Sequence, residues 1–392
     1  MLVLAFLFWL SIFLIVYSYF GYPLLIALLA RVASRSDVYS EIQPRVTFLI
    51  PAYNEEKHIA QKLDNTLSLD YPREKIQILV AADGSSDRTV DIVRAYGVHG
   101  VELCFIPERN GKMAAIVRAM EYVRGEIVVF SDANNMYDVK AIRELVLPFS
   151  DVQVGATTGA KLIIEDGRDL SSAEGLYWKY ESAIKINESK VDSCVSAVGE
   201  ILAVRKSAFN PPREKIINDD HYIVLDLLRR GYRVVYTPHA RSYEHVSAAA
   251  GDEIERRTRM NAGLFQTIFM SGRLLPFDRP LIVWQTISHK YLRAFVPFAL
   301  GFAFISNMLL LFNDHPESSF FMLSSPFAAY LFGLQVMFYL LALLGGYFRF
   351  DGKIGRLLYL PTFLLNSNWA TLKGFYGFIT NKQSHIWKRV RR

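Results

Sequence analysis

From Met1 to Ala30 the chain reads MLVLAFLFWLSIFLIVYSYFGYPLLIALLA, without one charged side chain. The run exceeds the roughly 20 apolar residues that carry a helix across a bilayer, so any fold must accommodate a membrane-length segment before its first acid or base. A cleaved signal peptide has a basic start and a shorter apolar stretch. Neither is present, and the run reads as a retained span. Arg31 and Arg35 follow at once, which under the positive-inside rule puts the next segment in the cytoplasm.

Two further stretches have the same character: Ala294 to Phe312 and Phe320 to Gly346. The linker NDHPESS between them has no Lys or Arg, whereas Arg349, Lys353 and Arg356 follow the second. That asymmetry predicts an outside linker and an inside return. Leu357 to Thr380, interrupted by Asn366, Ser367, Asn368 and Lys373, reads as a re-entrant or interfacial segment before the basic tail KRVRR. Arg279 to Arg293, RPLIVWQTISHKYLR, predicts a helix along the membrane surface, with a solvated surface helix as the alternative. The chain therefore divides into an N-terminal transmembrane helix (1–35), a cytoplasmic domain (36–278) and a membrane-associated remainder (279–392). The net charge of +6 is mild and its basic residues gather near the membrane boundaries. Membrane lipid, not nucleic acid, is the expected polyanionic partner. Cys104 and Cys194 have no metal spacing, so a reduced compartment fits and a disulfide framework does not.

Within 36–278, β-rich runs alternate with helical periodicity: VTFLIPAYNEE then EEKHIAQKLDNTL, IQILVAADGSSD then a helix through Val90 and Val93, VELCFIP then RNGKMAAIVRAMEYV, EIVVFSDANN then VKAIRELVLPF. Such alternation predicts an α/β domain with a mostly parallel sheet. Ser85 or Ser86 is the expected cap of the second helix. No GxGxxG or GxxxxGK[ST] follows any strand, which removes the usual glycine-rich phosphate cradles. The strands end instead on acids, Asp83 and Asp132. Taken singly, an acid after a strand is a turn or cap residue.

Their order carries more. PAYNEE at 51–56, DGSSD at 83–87, NGKMAA at 110–115, SDAN at 131–134 and NDD at 218–220 together resemble a family 2 glycosyltransferase with a GT-A fold, membrane-bound like bacterial exopolysaccharide, cellulose, chitin and hyaluronan synthases. The resemblance implies that Ala52 and Tyr53 line a nucleobase pocket, that Glu55 lies near the ribose, and that Asp83 hydrogen-bonds base or ribose. It places Lys112 near the phosphates. Asp132 then takes the metal role with Mg²⁺ or Mn²⁺, because hard cations prefer oxygen ligands. Family members commonly show Asp-x-Asp here, and Asn134 stands in the second position. A neutral amide carbonyl softens that ligand. His239 and His245 are candidates for a further one.

Inverting transfer needs a base for the acceptor hydroxyl. The layout NDDHYIVLDLLRRGYRVVY is similar to the family's Thr-Glu-Asp-like motif, which implies Asp220 as base with Asp219 beside it. Adjacent acids at a helix start also suit its dipole. Tyr177, Trp178 and Tyr180 share a predicted helix, where their rings line sugar or lipid, or pack. The family's Gln-x-x-Arg-Trp motif is matched by RRTRM at 256–260, with Arg259 as the arginine reaching the pyrophosphate. Arg256 replaces Gln, and Met260 replaces the Trp that carries a growing glycan's end. The resemblance thus implies a hexosyl- or N-acetylhexosaminyltransferase of the bacterial inner membrane. It takes a nucleotide-sugar, UDP-linked by family bias, and a lipid-linked or growing glycan acceptor. The alternatives are a processive β-glycan synthase, as a homo-oligomer or with polysaccharide-assembly partners, and a non-catalytic nucleotide-binding scaffold.

Overall fold

A computed structural model of the chain describes residues 1–164, 169–247, 250–312, 319–347 and 352–383. Helices α1 (Leu2–Val16) and α2 (Tyr22–Val32), joined by a π turn at Tyr17–Gly21, form one apolar rod ahead of the α/β domain. Strands β1 (Val46–Ala52), β2 (Ile76–Asp83), β3 (Val101–Ile106) and β4 (Ile127–Phe130) begin a single sheet; β5 (Met136–Tyr137), β6 (Val154–Ile163), β7 (Leu202–Arg205) and β8 (Arg233–Glu244) complete it. Their spatial order is β3-β2-β1-β4-β7-β6-β8-β5. β1 pairs in parallel with β2 and β4, β2 with β3, and β6 with β8, while β7 enters antiparallel between β4 and β6.

The central strands are near-continuous apolar runs because both faces are covered. Phe48, Ile50, Ile78, Val80 and Val129 face one core, and their neighbours Leu49, Leu79, Val128 and Phe130 face another, as the two-residue strand period requires. Helices α3 (Ile59–Leu67), α4 (Thr89–Ala95), α5 (Lys112–Ala119) and α6 (Ala141–Val146) cover these faces. The expected serine cap of α4 is not used. Asp87 Oδ1 accepts the Thr89 amide at 2.9 Å, and Ser85 Oγ accepts the Asn54 amide at 3.1 Å, tying the first two strand-end loops together.

The remaining helices are α7 (Asp169–Val191), α8 (Asp219–Arg229), α9 (Ala250–Phe269), α10 (Ser271–Leu274), α11 (Pro280–Thr286), α12 (Leu292–Leu310), α13 (Phe327–Tyr347) and α14 (Gly352–Ile379). Among the described residues three helical stretches are long and apolar enough to cross a membrane: Leu2–Val32, Pro280–Leu310 and Phe327–Tyr347. The third starts after Phe320 because Ser324 and Pro326 turn the chain ahead of it.

Packing departs from one expectation. Residues 279–293 do not form a separate surface helix: α11 runs through a π turn at Ile287–Tyr291 into α12. Gln285, Thr286, Ser288 and His289 are buried there, because His289 bonds Glu188 at 2.7 Å and Lys290 pairs with Glu181 at 3.1 Å on α7. The segment 357–380 lies almost wholly in one helix, α14, which runs along α9 through Phe265–Phe375 and Phe269–Phe378 ring contacts. The linker NDHPESS, apart from Ser319, Arg349 and the basic tail lie outside the described residues.

Candidate active site

The chain leaves β1 toward β2 and β3, then returns to β4 on β1's other side. Crossovers diverge at that point, and a crevice opens at the carboxyl ends of the strands, where ligands of open α/β sheets collect. A cleft of about 220 Å³ lies there. Ala52, Tyr53 and Glu55 enter it from the end of β1, Asp83 from β2, and Asp132 and Asn134 from β4. Lys112 comes from the start of α5, Asp219 and Asp220 from the start of α8, and Arg259 from α9. Every side chain expected from the motifs lines this one space.

Asp83 organises the loop that follows β3. Its Oδ2 accepts the amides of Asn110 and Gly111 at 2.9 and 2.6 Å, and Arg118 lies 3.4 Å from Oδ1. Lys112 is thereby set at the helix start, where its Nζ meets Asp132 at 2.7 Å and Asp219 at 3.5 Å. Burial disfavours that ammonium, but the two carboxylates outweigh it and hold its pKa above the usual lysine value. It is a fixed cation. Arg259 is shifted the other way, chiefly by desolvation, with Asp219 opposing. Asp220 Oδ1 accepts the His221 amide at 2.7 Å and Oδ2 the Gly199 amide at 3.0 Å. Burial, then the adjacent Asp219, push its carboxyl up to about 6. A carboxylate poised there is ionised at neutral pH yet basic enough to take a proton. The acidic pair sits in the first turn of α8, where acids suit the helix dipole, and also lines the cleft.

Among the described residues no group of three or more His, Cys, Asp or Glu is arranged to hold a metal alone. The donor set nevertheless fits a hard cation that takes its remaining oxygens from a diphosphate, the usual habit of Mg²⁺. Asn134 Nδ2 donates to Glu244 Oε1 at 3.0 Å, so of its two amide atoms the carbonyl oxygen is the one available to a cation beside Asp132. Neutrality at 134 has a local cause, since a carboxylate there would abut Glu244. His239 and His245 are exposed and line no part of the cleft.

Other lining residues were given no site role by the motifs, Arg109, Lys161 and Glu200 among them. Arg109, next to the quoted NGKMAA, stacks its guanidinium 3.5 Å from the Tyr53 ring centroid. Lys161 and Glu200, paired at 2.9 Å, line the cleft with Trp178, as does Arg256, bonded to Glu253 at 2.7 Å. A lysine inside the apolar run VGATTGAKLI was the available signal. Of the three aromatic residues on α7, only Trp178 reaches the cleft. Tyr177 packs on Phe363, and Tyr180 donates to the Tyr19 carbonyl at 2.7 Å.

The curled, mostly parallel sheet, with acids at its switch point, is that of the GT-A fold of nucleotide-sugar enzymes. Residues 47–210 match the model of "Glycosyl transferase family 2"; the chain carries a domain of that family. Among curated relatives it is 27% identical over 223 residues to "Probable glycosyltransferase YdaM" of Bacillus subtilis, covering 51% of this chain and 50% of that protein. It is 26% identical over 264 residues to "Poly-beta-1,6-N-acetyl-D-glucosamine synthase" of Staphylococcus aureus, covering 64% and 63%. The chain thus spans about half to under two thirds of the length of these relatives. A solved structure, "Mannosyltransferase PcManGT from Pyrobaculum calidifontis in complex with GDP-Man and Mn2+", superposes over 96% of this chain and 99% of that one, with a TM-score of 0.69 at 22% identity. That likeness extends the shared fold beyond the family domain.

Proposed function

We propose that this protein is a membrane-bound inverting glycosyltransferase that moves a sugar from a nucleotide-sugar, UDP-linked by family bias, to a lipid-linked or growing glycan acceptor. The observation that carries the reading is the convergence of Asp83, Asp132 and Asp220, far apart in sequence, on one cleft with the cations Lys112 and Arg259. Asp220 takes the proton of the acceptor hydroxyl. The hydroxyl oxygen bonds the anomeric carbon as the bond from that carbon to phosphate breaks, and the diphosphate leaves with the electron pair. Lys112 and Arg259 face the charge that develops there, which is where fixed cations lower a barrier most. Asp132 and Asn134 would hold Mg²⁺ or Mn²⁺, which when bound supplies further charge neutralisation of the diphosphate. Ala52, Tyr53, Glu55 and Asp83 form the nucleoside end.

The three apolar helices support placement in a membrane, and Arg31 and Arg35 just after the first favour the cytoplasmic side for the domain. The relatives named as poly-β-1,6-N-acetylglucosamine synthases favour an N-acetylhexosamine donor in exopolysaccharide or envelope assembly. They also favour a second reading, processive synthesis by a homo-oligomer or with partner subunits. Against it, Met260 replaces the aromatic residue at the cleft rim, where it contacts Arg256. Mass spectrometry of membrane lipids after incubation with UDP- and GDP-linked sugars tests the assignment. One lipid gaining a single sugar mass supports it, a ladder of additions supports processivity, and no gain from any donor overturns both.

A further inference from the structure

We infer that Trp178 is the platform for the acceptor sugar, holding a pyranose ring by stacking and by its indole N–H in front of Asp220. The inference rests on the transferase reading above and names the acceptor end of that cleft.

Trp178 lines the cleft from α7, and its Nε1 is buried with no hydrogen-bond partner among the described residues. Indole nitrogen is a donor only, and buried donors are nearly always satisfied. An orphan donor on a cleft wall therefore points to an acceptor atom supplied by a ligand. The surroundings suit a sugar. Lys161 Nζ and Lys185 Nζ lie 5.4 and 5.5 Å from the indole ring centroid, and Lys161 pairs with Glu200 and Glu244, so carboxylates that accept hydroxyl protons lie beside an aromatic ring. Glu200 directly follows Gly199, whose amide donates to Asp220 at 3.0 Å. A Cβ at 199 would lie 3.0 Å from Asp220 Oδ2, so the loop presses against the base. A continuous set of contacts thus runs from the base through Gly199, Glu200 and Lys161 to Trp178. The same Glu244 holds Asn134, which links the platform to the diphosphate end. Farther along α7, Glu188 accepts the Tyr22 hydroxyl at 2.5 Å and bonds His289 at 2.7 Å. The platform is therefore anchored to two of the apolar helices, on the side from which a lipid-linked acceptor arrives. The rim position occupied by Met260 offers no such ring.

The test uses the full chain in lipid nanodiscs, as wild type, Trp178→Phe and Trp178→Ala. Calorimetry with UDP and GDP in the presence of Mn²⁺ reads the donor end. Titration with methyl β-glycosides of glucose, mannose and N-acetylglucosamine, followed by tryptophan fluorescence, reads the platform without turnover. The expected result is nucleotide affinity within twofold in all three proteins, and a saturable fluorescence change with one or more glycosides in wild type that Trp178→Phe abolishes. Acceptor KM should rise about tenfold in Trp178→Ala, with Trp178→Phe between and kcat changed less. An equal glycoside response in wild type and Trp178→Phe, no response to any glycoside, unchanged acceptor KM, or lost nucleotide binding in the variants alone would overturn the platform. Absence of nucleotide binding in wild type would instead strike the transferase reading itself.

Discussion

At the residue scale, the proposed chemistry turns on one carboxyl. Asp220 is held by two backbone amides and raised to about 6 by burial and by Asp219. As a general base it must be ionised, so kcat/KM should fall as pH drops through about 6, and a flat profile between pH 5 and 7.5 would remove it from the role. Stability runs the opposite way. A carboxyl whose folded pKa is raised adds stability below its unfolded pKa, near 4, and loses it as pH rises through the folded value. Asp220→Asn should therefore gain melting temperature over wild type at pH 7.5 but not at pH 4, measured by differential scanning calorimetry. The amide at 134 makes a second residue-scale prediction. Asn134→Asp places a carboxylate against Glu244 and should destabilise the protein by about 1–3 kcal/mol, and adding Glu244→Gln should restore much of that loss in a double-mutant cycle. Sequence pattern alone marks position 134 as a weakened ligand. Its physical reason, a carboxylate 110 residues later across β8, is invisible before the sheet is assembled.

At the element scale, strand ends were legible and helix partners were not. Alternating apolar runs locate β1, β2, β3 and β4 because both faces of a covered parallel strand must be apolar, and their terminal acids follow from the quoted motifs. The ion network joining α7 to α11 and α12 was not legible, since Glu181, Glu188 and His289 read as ordinary polar positions until burial pairs them. For that reason residues 279–293 resembled a surface helix. A buried Lys62, donating to the Asn135 carbonyl at 2.7 Å, escaped notice likewise, though it supports the loop that carries Asp132 and Asn134. Burial lowers its pKa to about 7. The α9–α14 pair gives an element-scale prediction. At Gly374 a Cβ would meet the Thr258 carbonyl at 2.7 Å and Ala262 N at 2.9 Å, so Gly374→Ala must part the helices and move Arg259, one residue from Thr258. Nucleotide affinity should weaken about tenfold, a loss near 1.4 kcal/mol, while Gly377→Ala on the same helix, where contacts are 3.6 Å or longer, should leave it unchanged. Calorimetry with UDP and Mn²⁺ decides between them.

At the scale of the whole molecule, a GT-A domain is tied to an apolar helical layer by buried polar contacts, which is the arrangement the proposed transfer to an amphiphilic acceptor calls for. On the proposed reading, tethering of that kind makes the encounter with a lipid-linked acceptor two-dimensional, and α7, which brings Trp178 to the cleft, is itself anchored to Tyr22 and His289 through Glu188. The most direct test of the account is transfer of radiolabelled sugar from nucleotide donors into the lipid fraction by the full chain, compared with its Asp220→Asn variant. Wild type should label a lipid, and the variant should lose about 10²–10⁴-fold in rate while binding nucleotide as before. Equal labelling by the two proteins would contradict the assignment of this cleft as a transferase site.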